Sequence, residues 1–186
     1  MSESRKNEMG PRPEAGSSVP GAGDVFATTV KSVSDGIALA TKETGKAGPL
    51  ALEAVTTVVQ TSVRGGLGIG GNPTLGAKAI IVGVLHGIGA REAAGLKALS
   101  HTSRAVIRIT AQLGGDLSAS VKGLILGAIA SARDLGVDRA QAATSAAQGA
   151  LEGADEAGSD AAEVVRKALK EDIGGVKVVL PEPIRK

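Results

Sequence analysis

Along most of the chain, apolar residues recur every three to four positions, the spacing of an amphipathic helix rather than the alternation of a strand. The fullest stripe is Leu96, Leu99, Ser103, Val106, Thr110 and Leu113, which predicts a helix over 90–112. Capping residues mark others. Asp24 is the expected N-cap of a helix over 25–44 that Gly45 stops. Pro49 suits the first position of a helix reaching 64, and Pro73 that of one running to 88. The former contains AVTTVVQTSV (54–63), β-branched enough for a strand, although its neighbours favour helix.

Between 113 and 160 the pattern repeats. LGGD (113–116), LGVD (135–138) and AGSD (157–160) begin 22 residues apart, and Gly127-Ala128-Ile129 falls 22 before Gly149-Ala150-Leu151. Gly at the second position suits a left-handed helix end, and Asp two residues on suits an N-cap. Gly-x-Asp therefore predicts helices over 117–135 and 139–157, each roughly 28 Å long, and a short seventh over 161–171 led by Asp160. The competing reading is one unbroken rod, since 22 residues are two hendecads. The expected fold is all-α: a multi-helix bundle or short helical-repeat solenoid over 23–172. A disordered tail is predicted over 1–22, and an extended one over 173–186, where VKVVL (176–180) precedes Pro181 and Pro183.

Composition narrows the core. Of 186 residues Phe26 is the only aromatic, so the interior must be Ala, Val, Ile and Leu. With no cysteine there is no disulfide framework and no thiolate zinc site. No apolar h-region opens the chain, and its longest strongly apolar run, 79–85, is far short of the ~20 residues that span a bilayer. A cytoplasmic protein, at most peripheral to a membrane or granule, is expected. Net charge is +2 but uneven: residues 64–133 carry eight basic and two acidic residues, 134–172 nine acidic and four basic. Either a basic surface meets an anionic partner, or the two halves neutralise each other.

Small residues recur at every fourth position: Gly83 and Gly87, Gly123 and Gly127 with Ser131, Ser145 with Gly149 and Gly153. An interior helical glycine costs roughly 0.5–1 kcal/mol against alanine, which close helix approach offsets. That approach serves either one packed bundle or a self-associating face.

Four constellations could carry chemistry. Gly66, Gly68 and Gly71 match GxGxxG within a predicted loop over 64–73, the pattern of a phosphate cradle. No strand-paired acid follows near the expected distance, and Ala77-Lys78-Ala79 stands where a Walker A motif has Lys-Ser/Thr. Lys97, His101, Arg104 and Arg108 fall on one helix face, extended by Arg91, an anion-binding stripe unless Glu152, Asp155 and Glu156 neutralise it. His86 and His101 have no carboxylate at metal-ligand spacing, and Ser100 and Ser103 near His101 lack a nucleophile elbow. The VKVVL segment could add to a partner's sheet edge.

The expected function is non-enzymatic, without cofactor or metal: a helical scaffold or surface coat that self-associates and meets an anionic or apolar surface. Nucleic acid is disfavoured, because no aromatics are available for base stacking. The 22-residue period resembles that of exchangeable apolipoproteins, and the role resembles that of granule-coating phasins. Both resemblances imply a surface-binding role, although charge density is lower than in the apolipoprotein repeat and proline does not punctuate it. The alternatives are a nucleotide- or phosphate-binding protein using 65–71, and a soluble bundle with an unassigned protein partner.

Overall fold

Helix ends are set by residues that satisfy orphan backbone groups, and in the computed structural model most of them lie where the sequence places them. The structure describes residues 21–44, 49–68, 72–89 and 92–178. These form seven helices: α1 (Ala22–Thr44), α2 (Pro49–Gly68), α3 (Pro73–Ile88), α4 (Glu92–Gln112), α5 (Leu117–Leu135), α6 (Arg139–Ala157) and α7 (Ser159–Leu169). The AVTTVVQTSV segment is helical, within α2. Burial of Val55, Val59 and Val63 on one helical face outweighs their β propensity.

Asn72 caps α3, its side-chain oxygen accepting from the amides of Thr74 (3.0 Å) and Leu75 (3.4 Å), with Pro73 at the first position. Asp116 accepts from the Ala119 amide at 2.9 Å and starts α5. Gly136, at φ 73°, ends α5, while the Val137 amide reaches back to the Ala132 carbonyl at 3.1 Å. Asp138 then accepts from Ala140 (2.7 Å) and Gln141 (2.9 Å), so α5 and α6 are separate helices and the continuous rod is excluded.

Several boundaries differ from expectation. The third Gly-x-Asp junction is unlike the others: Gly158 itself stands at the start of α7 without a side-chain cap, and Asp160 lies inside the first turn. At the first helix Asp24 is likewise inside the turn, accepting from the Gly21 amide at 3.1 Å. The fourth helix is described from Glu92, and residues 90 and 91 lie outside the described residues. The C-terminal segment opens with a turn at 173–176. Ile173 and Val176 pair as an antiparallel bridge around Gly174 (φ 64°) and Gly175 (φ 74°), a two-residue turn open to glycine at both positions. Asp172 accepts from the Gly175 amide (2.9 Å), and Ile173 is buried. Of the expected tail over 1–22, residues 1–20 lie outside the described residues and Ala22 already belongs to α1; the Gly45 stop and residues 179–186 also lie outside them.

The helices form two layers. In one, α3 packs between α1 and α5; in the other, α4 packs between α2 and α6, and α7 closes against α5 and α6. One core fills the space between them, led by Ile37, Ile81, Leu99, Ile107, Leu124 and Ile125. The fully buried residues of α6 are only alanine and glycine, with half-buried Leu151 against the core's edge, so that helix gains its stability more by proximity than by side-chain volume.

Three of the crossings within the layers, α1–α3, α3–α5 and α4–α6, are made of glycine. A Cβ on Gly83 would stand 2.7 Å from Val33 Cβ and 2.8 Å from the Val30 carbonyl oxygen, and one on Gly87 2.7 Å from Ile37 Cβ and the Ser34 oxygen. On Gly127 it would lie 3.0 Å from Ile81 Cβ, and on Gly123 it would collide with the Thr74 carbonyl. Gly149 and Gly153 face the carbonyls of Ser100 and Arg104 with no room for a methyl group. Because contacts advance together along both chains, α1, α3 and α5 run parallel, as do α4 and α6. Side-chain hydroxyls complete the crossings: Ser145 donates to the Leu96 carbonyl (2.6 Å) and Thr74 to that of Ala119 (3.0 Å).

Candidate functional site at the α4–α6 face

On α4, Lys97, His101, Arg104 and Arg108 do share a face, but they do not share an environment. The close approach at Gly149 and Gly153 brings the last two turns of α6 beside the basic stripe. Arg104 hydrogen-bonds Glu156 and lies 3.9 Å from Glu152, and Arg108 Nη1 lies 3.9 Å from the second Glu156 oxygen. The Arg108 Nε is buried without a partner. Of the acids expected to neutralise the stripe, Asp155 points elsewhere and pairs with Arg166 of α7 at 2.7 Å. His101 is half-buried, its Nε2 3.1 Å from Thr56 Oγ1 on α2. Arg91 lies outside the described residues. Lys97 is exposed and forms no ion pair with a described residue.

Beside Lys97, α4 and α6 leave an open groove of about 560 Å³. Lys97 and Ser100 line one wall, Gln141, Thr144 and Gln148 the other, with Leu96 among the apolar lining. The two glutamines and Thr144 lie on one face of α6 at three- and four-residue steps. None of these side chains, nor Ser100, hydrogen-bonds a described residue. Sequence reasoning missed this wall. Its signal was present, as the uncharged polar positions 141, 144 and 148 on one face of a helix whose buried face is Ala and Gly.

The glycine run is not the loop expected over 64–73. Helix α2 continues through Gly66 to Gly68, and Gly71 lies outside the described residues. Gly66 and Gly68 thus stand at a helix C-terminus, whose carbonyls and negative dipole end repel phosphate. At the following helix the first amides are already taken by the Asn72 side chain.

Among the described residues no three His, Cys, Asp or Glu side chains gather as metal ligands. His86 instead faces Asp134 across 3.9 Å at the surface. Ser103 is buried with its hydroxyl unpartnered, and neither it nor Ser100 hydrogen-bonds His101. No described helix is long and apolar enough to cross a membrane. Compared with known proteins, the chain matches no family model, no curated protein and no solved structure.

Proposed function

We propose that this chain is a non-enzymatic helical scaffold, a short two-layer solenoid that is packed before it meets any surface and engages its partner through side chains of α4 and α6. One observation carries the reading. All six paired glycines (83 and 87, 123 and 127, 149 and 153) sit at crossings within the chain. A coat that folds on lipid, or a protein that self-associates through small-residue faces, needs those faces free. Here they are turned inward, and the basic stripe that would meet an anionic surface is met by Glu152 and Glu156.

Far-UV circular dichroism melts with and without phosphatidylserine vesicles test this. The expected result is a strongly helical protein with one cooperative transition at the same midpoint in both conditions. Low helicity that rises on adding vesicles would overturn the scaffold reading in favour of a surface coat.

A further inference from the structure

We propose that α7 is a strap that a second copy of this chain can accept, and that Gly158 is the hinge that keeps it on its own chain. Bent, Gly158 folds α7 back on its own α5 and α6. Straightened, it would join α6 and α7 in one helix and carry α7 onto the α5 and α6 of a partner copy. The inference goes beyond the scaffold reading and does not depend on what the scaffold binds. Three observations converge.

First, the bend rests on one residue. Helix α6 ends at Ala157 and α7 begins at Ser159. Gly158 has φ 128° and ψ 170°, a region essentially confined to glycine. The preceding junction is built differently: a left-handed Gly136 is followed by Asp138, whose carboxylate accepts from two amides. No side chain caps α7. Gly158 already makes both bonds that a continuous helix asks of it. Its N–H donates to the Ala154 carbonyl (3.0 Å), and its own carbonyl accepts from the Ala162 amide (3.0 Å). Straightening changes its dihedral angles and adds the helical bonds of the next three amides.

Second, the two helices read as one across the hinge. Ala150 and Ala154 on α6, then Ala161, Val165 and Ala168 on α7, keep one helical spacing from end to end. A single helix over 139–169 would be about 46 Å long.

Third, the contacts that hold α7 lie on surfaces that a second copy duplicates. Asp155 contacts Arg166 at 2.7 Å, although eleven residues of straight helix would set them about 16 Å apart. Beyond α7 the Arg139 guanidinium donates to the Gly174 carbonyl at 3.4 Å. Between these points Lys122 of α5 meets Glu171 at 2.8 Å, and Val165, Leu169 and Ile173 are buried. In an exchanged pair each of these contacts forms again across the two chains, and only 157–159 changes conformation. Short hinges invite such exchange. In the wild-type chain glycine makes the bend without strain and is a poor helix former, so α7 stays at its own site.

Gly158→Ala tests this, because it removes the one residue at ease in the bend and supplies a strong helix former. Equal amounts of ¹⁴N- and ¹⁵N-labelled full-length chains are refolded together from urea and sedimented. They are then treated with a carbodiimide, which joins Lys122 to Glu171 without a spacer. The wild-type chain is expected at 18.3 kDa, each Lys122–Glu171 peptide carrying a single label. Gly158→Ala is expected to double that mass at submillimolar concentration. About half of the joined peptides from its dimer should carry both labels, as random pairing of exchanged chains gives. Gly158→Asn, the replacement that best tolerates positive φ, should give a smaller dimer fraction with the same mixed peptides, and it carries the test if alanine prevents refolding. A folded variant that stays monomeric, or a dimer whose joined peptides are all singly labelled, would overturn the proposal.

Discussion

A glycine in a helix is informative only when its missing methyl group has a neighbour. At Gly123 and Gly149 the neighbour is a carbonyl of the adjacent parallel helix, which cannot rotate away as a side chain can. Gly123→Ala or Gly149→Ala therefore forces two backbones apart. We expect each to cost about 1–3 kcal/mol or more, a fall in melting midpoint of at least several degrees for a chain of this size. Gly76 is the control. It is helical, and a Cβ there meets nothing within 4 Å. Gly76→Ala should stabilise by about 0.5–1 kcal/mol through propensity alone. Both effects are read from one set of thermal melts, and a destabilising Gly76→Ala would show that the crossings do not explain the glycines. Sequence spacing made the paired glycines legible as packing residues. It could not show which carbonyl each one meets, because that depends on register with a helix about fifty residues away.

Helix boundaries were legible where a cap acts within three residues and obscure where tertiary contact decides. Asn72, Asp116 and Asp138 cap as their positions imply, whereas Asp160 has the same spacing and caps nothing. Asp138→Ala should accordingly cost about 1 kcal/mol and Asp160→Ala much less, a contrast that chemical denaturation of the two variants measures directly. Similarly, the β-branched VKVVL run suggested an extended tail. The paired glycines before it instead allow a turn that seats Ile173 in the core and brings Gly174 beside Leu126 of α5. Just before that turn Lys122 of α5 contacts Glu171 at 2.8 Å. This hydrogen bond holds the Glu171 carboxyl below its ordinary value of 4.5. Since the folded state favours the ionised form, the stabilisation is complete above the ordinary value and is lost as pH falls through the lower folded one. Glu171→Gln should lower the melting midpoint slightly at neutral pH, and by progressively less as pH falls below 4.5 and through the lower folded value. A difference that persists in acid would assign the effect to packing. The basic stripe on α4 followed from spacing alone. So did Glu152 and Glu156 as its neutralising acids; spacing could not show that Asp155 turns to Arg166 instead, because that depends on where α7 packs.

For the whole molecule, the question is why a stack of parallel helices stops. In α3, Gly83 and Gly87 face α1, while the carbonyls of Thr74 and Lys78, nine residues earlier, face α5. Nine residues are two and a half turns, so the two sets lie on opposite sides of the helix. In α1 the carbonyls facing α3 are those of Val30 and Ser34. Nine residues on, where the same register would put a glycine pair, stand Leu39 and Glu43. Leu39 is 61% exposed, so it has taken no neighbour in place of the missing glycine. At the other end α7 lies over α5 and α6 and turns charged residues outward, among them Glu163, Arg166 and Lys167. Among the described residues, a bundle whose terminal helix faces are bulky at one end and charged at the other offers no glycine face on which a second copy can continue the stack. The chain should therefore sediment as an 18.3 kDa monomer from micromolar to submillimolar concentration. A concentration-dependent dimer would mean that some face other than the glycine crossings carries assembly. The exposed side of α1 around Leu39 would then be the first surface to substitute, since it is the one apolar helix face on which the stacking register ends without a cover among the described residues.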